Sequence, residues 1–402
     1  MRRWATLILI TLILMSSAPV ATEAEGPVPR ILVDGETVKT AVTPAMQGEV
    51  SLVPFDDVAR ALGLTWDEHE GAITVSRWGT SAVLRPGEAT ARINKIEWTL
   101  DAAPRLEGGV VMVPLGFFEQ AFGVEINWSP PTRTARISTK RQVHMLAFYA
   151  SGSYARRYDV EYFDDVAMAW SHVDRNGVFR RPLSGRFHEW PTSGSDELLA
   201  GVREAGTSRY LNVYAQEVRK KPDPEDGPPQ PDDPDLWFLM KLMADPVRRE
   251  QLVDQIVQAV KEPGFDGVIL DFEEMGGYPK DQGKQAREGY TAFVQALGAR
   301  LRPLGKRVGV ALHAPGSFEG YDFGALAENA DFIVLMAHDY LEKDAWNAPE
   351  PLNRVEGAIR DTTALGVDPG KILLAGVAYY ETPESLVEKA VLAKRYKLRG
   401  IA

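Results

Sequence analysis

Phe265-Asp266-Gly267-Val268-Ile269-Leu270-Asp271-Phe272-Glu273-Glu274 is the stretch on which the fold turns. Side chains alternate along a strand, so Ile269, Asp271 and Glu273 share one face and Val268, Leu270 and Phe272 the other, and the same alternation is expected to turn Glu274 away from Asp271 and Glu273. The second face is wholly apolar and suited to packing on helices. The first passes from hydrocarbon to two successive acids at the carboxyl-terminal end. A strand that is apolar on both sides for most of its length belongs to a parallel sheet covered by helices.

The same pattern holds from Gln142 onward. Short apolar strands are expected at residues 143–150, 166–173, 210–215, 267–273, 307–313, 332–337 and 372–378, with a last one starting at Leu398. Amphipathic stretches such as 247–260 and 287–301 separate them as helices. Eight such units predict an α/β fold, a (β/α)8 TIM barrel over residues 142–402, with its active site at the carboxyl-terminal mouth. The chain stops at Arg399-Gly400-Ile401-Ala402, just as an eighth strand begins. Because an open parallel edge would expose unpaired backbone groups, the eighth strand is expected to be truncated and the sequence to be a fragment missing its last strand and helix. The acidic, Pro-rich stretch from Lys221 to Asp235 reads as a solvated loop after the third strand, on the mouth side.

Residues 30–139 read as a separate, small α+β repeat domain. Ser51-Leu52-Val53-Pro54, followed by Val58 and Ala61-Leu62-Gly63-Leu64, returns 60 residues later as Val111-Met112-Val113-Pro114, Phe118 and Ala121-Phe122-Gly123-Val124. Each copy is expected to form a strand, a short helix opened by the Pro and a returning hairpin. Gly63 and Gly123 suit left-handed helix stops. Trp66 and Trp128 recur at one place in the two copies and are expected in the core, with sugar-stacking platforms as the alternative. Deleting the domain should leave a folded barrel.

Residues 1–24 read as a signal peptide. Arg2 and Arg3 precede an apolar run from Trp4 to Met15, and small residues offer cleavage near Ala21 or Ala24. The run is shorter than the ~20 residues a bilayer span needs. An uncleaved anchor is the alternative, and no other segment reaches membrane length. The chain has no cysteine, which excludes a disulfide scaffold, a thiolate metal site and a cysteine nucleophile. Its net charge is -11 and its basic residues are scattered, unlike the footprint of a nucleic-acid binder. No phosphate loop, Ser-His-Asp order or zinc motif occurs, and no cofactor is expected.

The chemistry therefore rests on the acids. Repulsion between carboxylates two residues apart, with partial burial, raises the pKa of one and keeps it protonated near neutrality. A general acid toward a glycosidic oxygen requires that. The competing reading is an acidic pair held in a structural salt bridge.

Asp266-Gly267-Val268-Ile269-Leu270-Asp271-Phe272-Glu273 resembles the signature of glycoside hydrolase family 18, the chitinase-like enzymes, and within it the spore-germination and cortex-lytic N-acetylglucosaminidases. Met336-Ala337-His338-Asp339 resembles the family's Met-x-Tyr-Asp motif, and Gly376-Val377-Ala378-Tyr379-Tyr380 its Gly-x-Pro-x-Tyr motif. The repeat region resembles the copper amine oxidase N-terminal-like domain, although His69 is its only histidine and no copper-ligand cluster is present. The family resemblance implies cleavage of β-1,4-linked N-acetylglucosamine polymers, peptidoglycan ahead of chitin, by a secreted, wall- or spore-associated enzyme. It implies a substrate-assisted retaining mechanism, an exception to the two-carboxylate scheme. Glu273 is then the acid and base, Asp271 orients the substrate acetamido group, and Asp339 helps to hold it. Tyr149, Met336, His338 and Tyr380 line the sugar site, while Asp266 and Gly267 belong to the structural part of the motif. Three positions depart from the pattern. Ile269 stands where the family usually has Asp, so Asp271 is expected to lack an inner partner. His338 replaces a Tyr, and the strand-eight Trp is absent. The alternative function is a non-catalytic, lectin-like wall protein on a degenerate barrel.

Overall fold

The computed structural model describes residues 29–140, 142–149, 158–181, 195–217, 237–261, 264–278, 282–338, 348–377 and 380–402, without the side chains of 169, 170 and 195–197. The signal peptide, the 221–235 loop and Asp339 lie outside the described residues. The carboxyl-terminal region is a closed barrel of eight parallel strands: β1 (His144–Tyr149), β2 (Asp165–Val173), β3 (Ser208–Gln216), β4 (Gly267–Glu273), β5 (Arg307–His313), β6 (Phe332–Met336), β7 (Ile372–Leu374) and β8 (Gly400–Ile401). Helices α1 (Ser195–Glu204), α2 (Phe238–Ala244), α3 (Pro246–Lys261), α4 (Gln282–Leu301), α5 (Phe323–Asn329), α6 (Leu352–Ala364) and α7 (Pro383–Arg395) alternate with them.

The eighth strand closes the barrel on both sides. Two residues suffice: Gly400 pairs with His144 and Leu373, and Ile401 with Met145 and Leu374. Glycine is needed there, because a Cβ on Gly400 would lie 1.9 Å from the His144 carbonyl oxygen. A buried charge cluster braces the same end. Asp165 is 1% exposed. His144 Nε2 lies 2.7 Å from its Oδ2, and the guanidinium groups of Arg307 and Arg399 lie 3.7 and 3.8 Å from its carboxylate. Four segments of the barrel floor thus converge on one carboxylate.

Strand β4 sorts its side chains as alternation dictates. Val268, Leu270 and Phe272 join the core between strands and helices, where Phe272 stacks on Tyr290 and Phe293 of α4 at 5.6 and 5.8 Å. Each such buried side chain contributes about 1.5–3 kcal/mol. Ile269 packs inside the barrel with Leu146, Tyr210, Phe332 and Val334. Asp266 and Gly267 sit at the far end of the strand from the mouth. The Asp266 carboxylate accepts from the Arg209 N–H at 2.8 Å. A Cβ on Gly267 would come within 2.2 Å of the Arg307 carbonyl oxygen and 2.8 Å of the Tyr210 ring, so only glycine lets these neighbours close over the floor.

The repeat domain follows its two copies. Strands Val50–Pro54 and Val110–Pro114 each run into a short helix, Phe55–Ala61 and Gly116–Phe122, and then into a hairpin. The strands pair antiparallel with Val53 opposite Val113, its own counterpart 60 residues on, so the copies meet about an internal two-fold axis. Gly63 and Gly123 adopt φ of +64° and +63° just past the helices. The Trp pair diverges. Trp66 packs edge-on against Phe55 at 5.7 Å, whereas Trp128 lies on an outer strand and is 36% exposed.

This domain is docked on the barrel through α7. The Arg395 side chain is fully buried with Glu356 of α6, donating to its Oε1 at 3.1 Å. It also donates to Thr80 Oγ1 and to the Ala121 carbonyl, both 2.8 Å away in the repeat domain. Trp98 packs edge-on against Tyr396 at 5.5 Å. One guanidinium therefore bridges the two domains.

Candidate active site

Strand β4 delivers Asp271 and Glu273 to the mouth on its inward face, and β3 runs beside it in register. Asn212 lies opposite Ile269, Tyr214 opposite Asp271, and Gln216 opposite Glu273. Asn212 Nδ2 donates to Asp271 Oδ2 at 3.3 Å. Asp271 is therefore not without a partner above Ile269; the donor comes from the neighbouring strand. Its other oxygen, Oδ1, is buried with no hydrogen-bond partner among the described residues. Burial pushes the Asp271 carboxyl up to about 6, against the opposing pull of the Asn212 hydrogen bond and of His338. Of the two causes expected from the sequence, repulsion between the carboxylates and partial burial, desolvation leads at Asp271.

The strand end is held firmly. Glu217 N–H donates to the Glu273 carbonyl at 3.0 Å, and Tyr321 Oη donates to the Phe272 carbonyl at 2.7 Å. The Glu217 carboxylate in turn accepts from the N–H groups of Leu239 and Met240 at the start of α2, and from Tyr278 Oη at 3.2 Å. Glu274 leaves the strand with φ +56°, which breaks the alternation expected to turn it away from the mouth. Its carboxylate accepts from Gln216 Nε2 at 3.1 Å, and Gln216 Oε1 accepts from Tyr214 Oη at 3.0 Å. Burial, then the charges of Glu273, Asp271 and Glu274, push the Tyr214 phenol up, so it stays a donor.

A cavity of about 510 Å³ opens over Asp271, with Met336 and His338 in its wall together with Phe148, Phe163 and Leu386. Tyr149 is not there. It points outward into the core between strands and helices, and Phe148, one residue earlier, occupies the inward face. Strand β1 has apolar or amphipathic residues on both faces, so its phase could not be read from composition. Tyr380 is half-buried in a turn after β7 and does not line the cavity. A second cavity of about 500 Å³ lies over the ends of β2 and β3, walled by His172, Asp174, Tyr214, Gln216, Glu217 and Glu274. The sequence reading missed Asn212, Tyr214 and Gln216. Their signal was the polar or aromatic residue at every second position of Tyr210-Leu211-Asn212-Val213-Tyr214-Ala215-Gln216.

Asp271→Asn is expected to stabilise the fold at pH 7. A carboxyl raised from about 3.9 unfolded to near 6 folded favours the native state fully only below about pH 4, and that contribution is lost as pH rises through 6. The neutral amide escapes the loss, so the variant should exceed the parent by about 1–3 kcal/mol at pH 7 and match it near pH 4. Urea unfolding at the two pH values checks the difference; equal stability at pH 7 would show that the carboxyl is not desolvated.

A parallel barrel with paired carboxylates at the mouth end of β4 is an enzyme scaffold, and comparison with known sequences places it. Residues 238–400 match the profile of Glycosyl hydrolases family 18, and residues 32–137 that of the Copper amine oxidase N-terminal domain. The barrel from α2 to β8 is thus similar to the glycosyl hydrolases of family 18, and the repeat domain to the copper amine oxidase N-terminal domain. The chain is 26% identical over 149 residues to a Bacillus subtilis (strain 168) protein named as sporulation-specific glycosylase YdhD, covering 36% of this chain and 33% of the relative. It is 30% identical over 146 residues to the secreted chitinase LysM12 of Penicillium expansum, covering 34% and 9%. The chain therefore spans a third or less of the length of these relatives. The crystal structure of the Bacillus cereus spore cortex-lytic enzyme SleL superposes with a TM-score of 0.49 at 16% identity, covering 66% of this chain and 71% of that one.

Proposed function

We propose that this chain is a secreted glycoside hydrolase that cleaves β-1,4-linked N-acetylglucosamine polymers, peptidoglycan ahead of chitin, by substrate-assisted retaining catalysis. The observation that carries the reading is Asp271: one oxygen is taken by Asn212, and the other is buried beside the mouth cavity with no donor among the described residues. A substrate acetamido N–H is the donor it would take. Glu273, two residues on along the same face, protonates the leaving glycosidic oxygen. The acetamido carbonyl oxygen attacks the anomeric carbon as that bond breaks, giving an oxazolinium ion whose charge Asp271 balances. Glu273, now ionised, takes a proton from water as the water opens the ring, and the anomeric configuration is retained. Met336 and His338 shape the acetamido side of the cavity, and Asp339, the next residue in sequence, helps to hold the acetamido group. The volume of about 510 Å³ suits a sugar-sized group. The preference for peptidoglycan rests on the cortex-lytic resemblance of the β4 motif and on the relative named as a sporulation-specific glycosylase.

The test is to incubate the purified chain with spore-cortex peptidoglycan and, separately, with chitin oligosaccharides, and to identify products by mass. New N-acetylglucosamine reducing ends formed with retained configuration are expected, faster from peptidoglycan. Binding without any cleavage would replace the enzyme with the lectin-like alternative.

A further inference from the structure

We propose that Asn212 is the positioning residue of this site: its side-chain amide holds Asp271 in a single orientation and keeps the Oδ1 oxygen turned to the cavity. The inference rests on the reading of Asp271 as the group that receives substrate. Asn212 is 2% exposed and sits in β3 directly opposite Ile269. Its backbone carbonyl accepts from the buried Ser171 hydroxyl at 2.6 Å, which ties the strand to β2 at this residue. From there the amide nitrogen reaches diagonally to Asp271 Oδ2 at 3.3 Å. Ile269, fully buried below Asp271, offers no donor and closes the space into which the carboxylate could turn downward. The pairing is thus a division of labour between strands: hydrocarbon on β4 blocks one direction, and an amide on β3 fixes the other.

The amide also opposes the effect of burial on the charge state of Asp271. A hydrogen bond donated to a carboxylate favours its ionised form. The other titratable groups with an electrostatic effect on this site are Glu273 on the same strand, Tyr214 on β3, Tyr290 on α4, Tyr321 after β5 and His338 after β6. Among the described residues, Asn212 is the group that donates a hydrogen bond to Asp271.

The experiment compares the parent chain, Asn212→Leu, and the swap Asn212→Ile with Ile269→Asn, which moves the amide one strand across. The first readout is the titration of Asp271 by carbon-13 NMR of Asp-labelled protein, its signal identified by its loss in Asp271→Asn. This needs no activity. In Asn212→Leu the midpoint should rise by about one pH unit, and the swap should return it toward the parent value. The second readout is turnover of chitotetraose. Asn212→Leu should lower kcat about 10- to 100-fold with little change in KM, and move the acid limb of the pH profile upward with the titration. If Asn212→Leu does not fold, Asn212→Asp serves: a second carboxylate against Asp271 should raise the midpoint and split the titration into coupled steps. An unchanged Asp271 midpoint in a folded variant overturns the proposal, as does an unchanged kcat. A parent chain that cleaves no substrate defeats the proposed function, and the titration then decides the positioning role alone.

Discussion

Glu273→Gln is expected to lower kcat by about 10²- to 10⁴-fold while leaving the affinity for chitin oligosaccharides within a few-fold. The change removes the proton that the leaving oxygen needs and keeps the shape, so the loss falls on the chemical step, about 3–5 kcal/mol of barrier. The backbone supports persist, because the Glu273 carbonyl accepts from Glu217 N–H whatever the side chain. Steady-state kinetics with binding measured separately by calorimetry checks both halves. Glu274→Gln is the control. Its carboxylate is spent on Gln216 at the rim of the second cavity, and kcat should stay within about tenfold of the parent. Near-normal turnover in Glu273→Gln would move the acid elsewhere, with Asp271 the first candidate because burial already lifts its carboxyl to about 6.

Arg395→Met is expected to destabilise the chain by about 3–5 kcal/mol, because it leaves Glu356 buried without its cation. The Glu356 and Arg395 side chains are both fully buried, and the Arg also satisfies Thr80 and the Ala121 carbonyl across the domain junction. Methionine fills much of the space but donates nothing. Urea unfolding of the parent should show a single transition, since the repeat domain and α7 share this interface. In the variant the midpoint should fall, and the domains should begin to melt apart. Arg395→Met with Glu356→Gln should recover a large part of the loss, because no isolated charge then remains. A loss below about 1 kcal/mol in the single variant would mean that water reaches Glu356 at the junction.

The alternation of β4 is a local property with period two, and Val268 to Glu273 therefore disclosed from residue types alone which side chains face helices and which face the mouth. The 60-residue repeat, the order of barrel strands and the family likeness were legible for the same reason: each is written in contiguous stretches. What the tertiary structure decided involves pairs far apart in the chain. Strand β1 carries apolar side chains on both faces, so only its packing could show that Phe148 faces the cavity and Tyr149 the helices. Glu274 departs from its expected side because its backbone turns left-handed where the strand stops. Asn212 meets Asp271 across 59 residues of chain, through a strand register that no local pattern records. Arg395 likewise finds Thr80 across 315 residues, and as one of several charges on an otherwise ordinary helix it gave no sign of a buried partner. Amino-acid types specify what a segment can bury, whereas the partner of a buried polar group is set by how separate segments pack, and that information exists only in the folded chain.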